Sequence, residues 1–345
     1  MRKLRILTVI LTVIFLTATG GYFLLHSPKP LQPELSSAIK QTSVESGGIE
    51  RAYAFYVPAR LTDKPPLLFV LHGSSQSIED IRRYTGYEFE RLADQFGFIV
   101  VYPNGFRHNW NDCRKAAAYP ARTEKIDDEG LIRRLIGIFR KEYGVDPAQV
   151  FAAGYSNGGH LAYRFALEMP EEIRAVAAIG ANLPTPDNCD CIASGKAVSV
   201  LIMNGTEDPI NPYEGGEVSL FGFRKRGTVL SSLASARYFA ALAGYGPTPF
   251  RTFTLPHRMK DDETLVTENI WKADGKPEIV LCSVVNGGHV IPQPVFRAPR
   301  LLGKTTSDLN GPLAIWNFFA RQSLDHPGRR AFHSPNIMRN LDLLK

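Results

Sequence analysis

Little excess charge and few cysteines characterise this 345-residue chain, and it has no internal repeat or low-complexity tract. Its 40 basic and 34 acidic residues give a net charge of +6. Arg2, Lys3 and Arg5 supply three of these charges, and the +3 left for the remainder is too small to indicate a nucleic acid partner. Arg224-Lys225-Arg226 is interpreted as a solvated face, with contact to an acidic polysaccharide as the alternative.

The N-terminus has the pattern of an export signal. A basic start precedes an apolar run from Ile6 to Leu25, which at about 20 residues is long enough to span a bilayer as an uncleaved anchor. Ala18-Thr19-Gly20 offers a small-residue cleavage site instead. We predict a signal peptide or signal anchor over residues 1–27, a proline-rich tether over 28–48, and a secreted or periplasmic protein that meets the membrane only through its N-terminus.

Four cysteines, Cys113, Cys189, Cys191 and Cys282, become disulfide candidates in an exported chain. A bond between Cys189 and Cys191 would be strained, so a bond from Cys113 to one of these two is favoured over four free thiols. No second cluster of histidine and cysteine at ligand spacing accompanies the Cys-x-Cys pair, so no metal site is predicted. Asp127-Asp128-Glu129 precedes a helical pattern and is interpreted as helix capping rather than as a cation site.

The stretch Gly154-Tyr155-Ser156-Asn157-Gly158 lies between an apolar strand-like run and a helical run. A serine on such a sharp turn projects its hydroxyl out of the sheet, and the flanking glycines relieve the crowding of the turn. This context favours a nucleophile elbow over a glycine-rich turn that only packs a helix closely on a sheet. Ser156 is the predicted nucleophile.

An acid and a histidine follow the serine in the chain order that such elbows require. The strand-like run Val198 to Met203 leads into a loop that carries Asp208, the predicted acid, with Glu207 as its competitor. The strand-like run Ile279 to Val285 leads into Asn286-Gly287-Gly288-His289, and His289 is the predicted general base. The remaining histidines precede the serine or fall in helical, charged or terminal segments.

An ester carbonyl attacked by a serine develops negative charge, which needs preorganised N–H donors. The backbone N–H of Asn157 is one predicted donor, because it follows the nucleophile. The second is expected from the loop after the run Leu67 to Leu71, with Ser74 as first choice. Trp110 and Tyr155 are candidates for the substrate pocket, and packing in the core is the alternative for Trp110.

With these residues identified, the chain resembles the esterase family that includes extracellular polyhydroxybutyrate depolymerases, feruloyl esterases and acetylxylan esterases. Matching motifs extend over roughly residues 50–321: Leu71-His72-Gly73, Tyr102-Pro103-Asn104-Gly105, Asn109-Trp110-Asn111-Asp112, Asp127-Asp128-Glu129-Gly130, the elbow, Asn204-Gly205-Thr206-Glu207-Asp208-Pro209, Asn286-Gly287-Gly288-His289 and Ile315-Trp316-Asn317-Phe318-Phe319. After the histidine, depolymerase-like members tend to have a tryptophan-proline-glycine step, whereas this chain has Val290-Ile291-Pro292. No separate substrate-binding module or threonine-rich linker is visible.

Alternation of strand-like and helical runs predicts an α/β fold with a mostly parallel sheet covered by helices on both faces. The elbow, the order of its partners and the family resemblance imply that this is the α/β-hydrolase fold. The catalytic domain is predicted over 49–322 and a C-terminal tail over 323–345, and the segment Pro209 to Asp274 could cap the site. Predicted strands are 52–57, 67–71, 98–102, 150–153, 175–179, 198–203 and 279–285, and predicted helices are 78–95, 128–143, 159–169, 229–243 and 311–322.

The sequence thus predicts an exported serine carboxylesterase that works through an acyl-enzyme and needs no cofactor. Its substrate is a small-molecule or polymeric ester, and the acyl group is left open among hydroxycinnamate, acetate and hydroxyalkanoate. A serine peptidase or an acyltransferase on the same fold is the nearest alternative, because the triad does not choose the leaving group. An inactive, hydrolase-like binding protein at the cell surface is the alternative from another class.

Overall fold

A ten-stranded mixed sheet forms the centre of the computed structural model, which describes residues 19–22, 24–258 and 262–324. The strands in chain order are β1 (Lys40–Ser46), β2 (Ile49–Tyr56), β3 (Leu67–Leu71), β4 (Ile99–Pro103), β5 (Val150–Tyr155), β6 (Ala175–Ile179), β7 (Ser199–Gly205), β8 (Gly216–Glu217), β9 (Thr228–Val229), β10 (Arg251–Thr254), β11 (Leu265–Trp271) and β12 (Ile279–Val285). Strands β8 and β9 form a separate antiparallel pair.

The order across the large sheet is β1-β2-β4-β3-β5-β6-β7-β12-β11-β10. The six strands from β4 to β12 in this order are parallel, and two antiparallel strands extend each edge. Central strands such as β3 and β5 are buried along their whole length, as expected for parallel strands covered on both faces. The predicted mostly parallel sheet is confirmed.

Seven helices connect or follow these strands: α1 (Ile78–Tyr84), α2 (Glu88–Phe96), α3 (Pro120–Thr123), α4 (Asp128–Tyr143), α5 (Asn157–Glu168), α6 (Ser232–Leu242) and α7 (Gly311–Leu324). One hydrophobic core joins the sheet to α4, α5 and α6. A second core on the opposite face joins it to α1, α2 and α7. Helices therefore cover both faces of the sheet, as predicted.

The sheet is wider than the sequence indicated. Strand β1 lies within the segment predicted as a tether, where it pairs with β2 and presents mostly exposed side chains. Strands β10 and β11 and helix α6 lie within the predicted cap of residues 209–274, where they extend or cover the sheet. Only the part around β8 and β9 remains as a separate layer. The predicted helix 78–95 is two helices, because Tyr87 has a left-handed backbone (φ 56°).

The predicted export segment lies mostly outside the described residues, since residues 1–18 and 23 are not among them. Within the described part of the chain, no helix is long and apolar enough to cross a membrane. Of the predicted C-terminal tail, only residues 323 and 324 are described, and they belong to α7. The anchor and the tail stay predictions.

Candidate active site

Ser156 lies on a strained turn between β5 and α5. Its backbone has φ 55° and ψ −116°, an unfavourable conformation for a residue with a side chain. A Cβ on Gly154 would lie 2.1 Å from the carbonyl oxygen of Gly158, and one on Gly158 would lie 2.5 Å from that of Leu71. Glycine is therefore required at both positions. The Ser156 N–H donates to the carbonyl of Ile179 at 2.7 Å and so fixes the turn on the neighbouring strand.

The side chains of Ser156, His289 and Asp208 form one hydrogen-bonded row. His289 Nε2 lies 2.9 Å from Ser156 Oγ, and His289 Nδ1 lies 2.6 Å from Asp208 Oδ2. The three residues are 8%, 3% and 7% exposed. Because the carboxylate can only accept at Nδ1, the imidazole presents the lone pair of Nε2 to the serine hydroxyl. This orientation is the one that a general base needs.

The loop after β7 presents Asp208 to His289 and turns Glu207 outward. The second carboxylate oxygen of Asp208 accepts N–H bonds from Ile210 and Asn211, each at 2.8 Å. The Glu207 side chain is exposed, and its backbone N–H donates to the carbonyl of Gly287. Of the two predicted competitors, Asp208 is the one that contacts the histidine.

Hydrogen bonds at both its backbone N–H and its backbone carbonyl hold His289 in place. Its N–H donates to the Leu302 carbonyl at 2.7 Å, and its own carbonyl accepts from the Tyr155 hydroxyl at 2.8 Å. Burial raises the pKa of Tyr155 well above its ordinary value, so its hydroxyl remains a donor. Tyr155 was predicted as a pocket candidate; it is almost fully buried and supports the histidine loop instead. A Cβ on Gly180 would lie 3.1 Å from the imidazole, so glycine leaves room for the ring.

Among the described residues, the N–H groups of both predicted oxyanion donors have no acceptor. One belongs to Asn157, whose N–H has no acceptor within its own helix because it is the first residue of α5. The other belongs to Ser74 in the loop after β3. In that same loop the N–H groups of Gly73, Ser75 and Gln76 all find acceptors within the protein. The N–H groups of Asn157 and Ser74 are therefore not used by other groups in the described part of the protein.

Trp110 supports this loop from the core and does not line a pocket. Its side chain is fully buried, and its indole N–H donates to the His72 carbonyl at 2.8 Å. Its backbone N–H donates to the side-chain oxygen of Asn157 at 2.8 Å. The prediction of Trp110 as a pocket residue is corrected on this ground. It joins the loop after β3 to the first residue of the elbow helix.

His72 fixes the same loop as a neutral imidazole. Its Nε2 accepts from the Gly105 N–H at 2.9 Å, which leaves Nδ1 to donate to the Gly73 carbonyl at 2.7 Å. Burial lowers the pKa of His72 to about 4, and only part of this effect is offset by the hydrogen bond to Gly73. The ring therefore stays uncharged at neutral pH.

A buried ion pair beside the elbow was missed by the sequence reasoning. The side-chain N–H of Asn157 donates to Asp112 at 2.6 Å, and Asp112 accepts two bonds from the guanidinium of Arg114 at 2.5 and 3.1 Å. Burial would raise the pKa of Asp112, but the charge of Arg114 outweighs it and the pKa is lowered. Asp112 belongs to Asn109-Trp110-Asn111-Asp112, one of the motifs on which the family resemblance rests. Membership of that motif was the only sequence feature that pointed to Asp112.

The cysteines and the acidic residues before α4 are the remaining groups that the sequence singled out. A disulfide joins Cys113 to Cys191, while Cys189 and Cys282 are free thiols. Asp127 caps α4 by accepting the Gly130 N–H at 2.7 Å. Within the described residues, no group of three or more acidic, histidine or cysteine side chains could hold a metal ion.

The run Arg224-Lys225-Arg226 is not one solvated face. Arg224 and Lys225 are exposed, and Lys225 pairs with Glu217 at 2.7 Å. Arg226 is buried with 8% of its surface exposed. The interpretation therefore needs correction at Arg226, which the fold turns inward.

Comparison with known proteins relates part of the chain to a family. Residues 51–211 match the family model described as esterase PHB depolymerase. This part of the chain is therefore similar to that esterase family. The resemblance inferred from the motifs is thereby confirmed, and the protein is an esterase of the polyhydroxybutyrate depolymerase, feruloyl and acetylxylan esterase type.

Individual relatives are distant. A protein of Nocardia uniformis subsp. tsuyamanensis that carries an esterase name, NocK, is 26% identical over 82% of this chain and 83% of its own length. The poly(3-hydroxybutyrate) depolymerase of Ralstonia pickettii is 28% identical over 59% of this chain, and feruloyl esterase B of Neurospora crassa is 30% identical over 36%. These last two matches span 42% and 41% of the relatives' own lengths.

A solved structure shows the same fold. The acetyl xylan esterase from Aspergillus awamori superimposes with a TM-score of 0.52 over 74% of this esterase and 96% of that chain, at 18% sequence identity. The predicted α/β-hydrolase fold is confirmed.

Proposed function

We propose that the esterase cleaves carboxylic esters through an acyl-enzyme on Ser156. The row from Ser156 through His289 to Asp208, with contacts of 2.9 and 2.6 Å, is the observation that supports this most directly. His289 takes the serine proton as Oγ attacks the ester carbonyl, and later delivers it to the leaving alcohol. Asp208 holds the tautomer and stabilises the imidazolium. Water, activated by the same histidine, then releases the acid.

The oxyanion of the tetrahedral intermediate is proposed to bind the N–H groups of Asn157 and Ser74. Both amides lack an acceptor among the described residues. By contrast, the N–H groups of Gly73, Ser75 and Gln76, which lie in the same loop as Ser74, all have one. Such donors stabilise charge only if they are held in place before the reaction. Trp110 supplies that rigidity, since it bonds both the carbonyl of His72 and the side chain of Asn157.

The substrate is proposed to be an acyl ester of the kinds named by the relatives: a feruloyl or acetyl group on a polysaccharide, or a hydroxyalkanoate ester. We further propose that the enzyme acts outside the cytoplasm. The basic start and the apolar run from Ile6 to Leu25 support export. Val290 and Ile291, which follow the histidine, are both buried and replace the tryptophan-proline step that depolymerase-like members tend to have.

A substrate panel tests this proposal. We expect the wild type to hydrolyse p-nitrophenyl acetate and at least one of methyl ferulate, acetylated xylan and hydroxybutyrate oligomers. Ser156→Ala, which removes only the hydroxyl, should lower turnover by about 10⁴-fold or more while the protein keeps its circular dichroism spectrum. Equal turnover by folded wild type and Ser156→Ala would overturn the proposal.

A further inference from the structure

The hairpin formed by β8, β9 and the residues between them packs on the loops that carry the two partners of Ser156. Val218 and Val229 of this hairpin form a small apolar cluster with Ile210, two residues beyond Asp208. Leu302, whose carbonyl accepts the His289 N–H, packs against the same cluster. The hairpin therefore packs against the loops that carry Asp208 and His289.

Arg226 lies in this hairpin and forms no ion pair among the described residues. Its guanidinium carbon lies 5.0 Å from the centre of the Tyr119 ring, and among the described residues no carboxylate pairs with it and no hydrogen bond reaches its side chain. None of its nitrogens is sealed from solvent, although 92% of the residue's surface is covered. Burying most of an arginine side chain without an ion-pair partner for its guanidinium costs free energy, unless another group binds that guanidinium.

The neighbouring charges do not satisfy Arg226. Arg114 lies against the same tyrosine ring at 5.8 Å and occupies Asp112 with both of its hydrogen bonds. His160 adds no negative charge, and its pKa is lowered well below the ordinary value by burial first and then by the positive charge of Arg114. Two guanidinium groups thus share one carboxylate, which leaves one positive charge uncompensated beside the site.

This positive charge lies near the reacting groups. Asp112, which attracts both arginines electrostatically, accepts a hydrogen bond from Asn157, the residue after the nucleophile. His160, one helical turn beyond Ser156, is influenced electrostatically by both Arg226 and His289. The positive charge of Arg226 therefore acts on groups next to the nucleophile.

From these observations we propose that Arg226 binds a carboxylate of the substrate, so that this enzyme prefers esters that carry a negative charge close to the scissile bond. The inference rests on the proposed function and narrows its substrate class. A guanidinium forms strong, paired hydrogen bonds with a carboxylate. The charge can belong to the acyl part, as in a dicarboxylic monoester, or to the alcohol part, as in an ester of a hydroxy acid.

Matched ester pairs test the preference and separate the two sources. On the acyl side, p-nitrophenyl hydrogen glutarate is compared with p-nitrophenyl valerate. On the alcohol side, 3-acetoxybutanoate is compared with its methyl ester. We expect wild type to favour the charged member of at least one pair. Arg226→Gln should lower that ratio of kcat/KM by about 10- to 100-fold, mainly through KM, because one charged hydrogen bond to bound substrate is lost.

Control variants make the result specific. Arg224→Gln removes an exposed charge two residues away and should leave the ratio as in wild type, whereas Arg226→Lys should recover part of it. The proposal is overturned if folded Arg226→Gln keeps the wild-type ratio, or if wild type favours the neutral ester in both pairs.

A binding measurement keeps the inference independent of turnover. Ser156→Ala is titrated with monomethyl glutarate by calorimetry, and the double variant Ser156→Ala/Arg226→Gln serves as its partner. Binding that weakens about 10-fold or more in the double variant supports Arg226 even if no ester in the panel is hydrolysed. Equal binding by both proteins would contradict it.

Discussion

The nucleophile side of the site and the hairpin side differ in how their polar groups are satisfied. Ser156, His289 and Asp208 bond one another, and the second oxygen of Asp208 is held by two backbone N–H groups. On the hairpin side, Arg226 forms no ion pair with any residue that the structure describes. Groups that must hold a fixed geometry are paired inside the protein, and groups that would meet the substrate are left open.

The same contrast appears between the two arginines on Tyr119. Arg114 is fully buried and bonded to Asp112, so it maintains the position of Asn157 beside the nucleophile. Arg226 contacts the same ring and keeps accessible nitrogens. Burial alone therefore does not show whether an arginine stabilises the fold or binds a ligand. In this pair, the carboxylate partner of Arg114 is what separates it from Arg226.

Asp208→Asn should give the largest effect on the paired side. The amide can no longer fix the tautomer or stabilise the imidazolium, so we expect turnover of p-nitrophenyl acetate to fall by about 10³- to 10⁴-fold with little loss of stability. Glu207→Gln is the matched control, because Glu207 is exposed and makes no side-chain contact to His289 in the described structure. If Glu207→Gln lost more turnover than Asp208→Asn, the acid role would move to Glu207.

Asp112→Asn tests the structural arginine. The change leaves Arg114 buried without a counterion next to a second unpaired guanidinium, so the free energy of unfolding should fall by about 3–5 kcal/mol. Urea denaturation at pH 7.5 measures this. Glu217→Gln, which breaks the exposed pair with Lys225, should cost less than about 1 kcal/mol. Equal losses for the two variants would contradict the contrast between buried and exposed pairs.

His72 gives a smaller effect that depends on pH. Its pKa of about 4 in the folded protein is below the ordinary 6.5, so the unfolded chain binds more protons as the pH falls from 6.5 towards 4. Stability therefore decreases over that range, and His72 should account for about 2 kcal/mol of the loss at pH 5. Unfolding free energies at pH 7.5 and 5 should differ less in His72→Gln. An equal drop in both proteins would show that His72 is not the group responsible.

Much of the fold could be predicted, because central strands carry continuous apolar runs. Strands β3, β6 and β12 have the bounds that the sequence predicts. Strand β1 was not predicted, since an exposed edge strand is defined by backbone pairing with a neighbour and not by apolar residues.

The candidate site also contains features that the sequence predicted and features that it did not. Chain order, glycines and strand ends predicted that Ser156, Asp208 and His289 would meet, and their side chains are in contact. The sequence left Trp110 open between pocket and core, and it predicted neither the pairing of Asp112 with Arg114 nor the inward turn of Arg226. They depend on how separate loops pack, and no spacing along the chain encodes that packing.

Active-site labelling tests the central claim most directly. The folded wild type is treated with a fluorophosphonate, digested, and its peptides are analysed by mass spectrometry. We expect one phosphonylated residue, Ser156, no labelling in Ser156→Ala, and strongly slowed labelling in His289→Ala, because the histidine activates the hydroxyl. Absence of an adduct in folded wild type, or equal labelling of the Ser156→Ala variant, would contradict it.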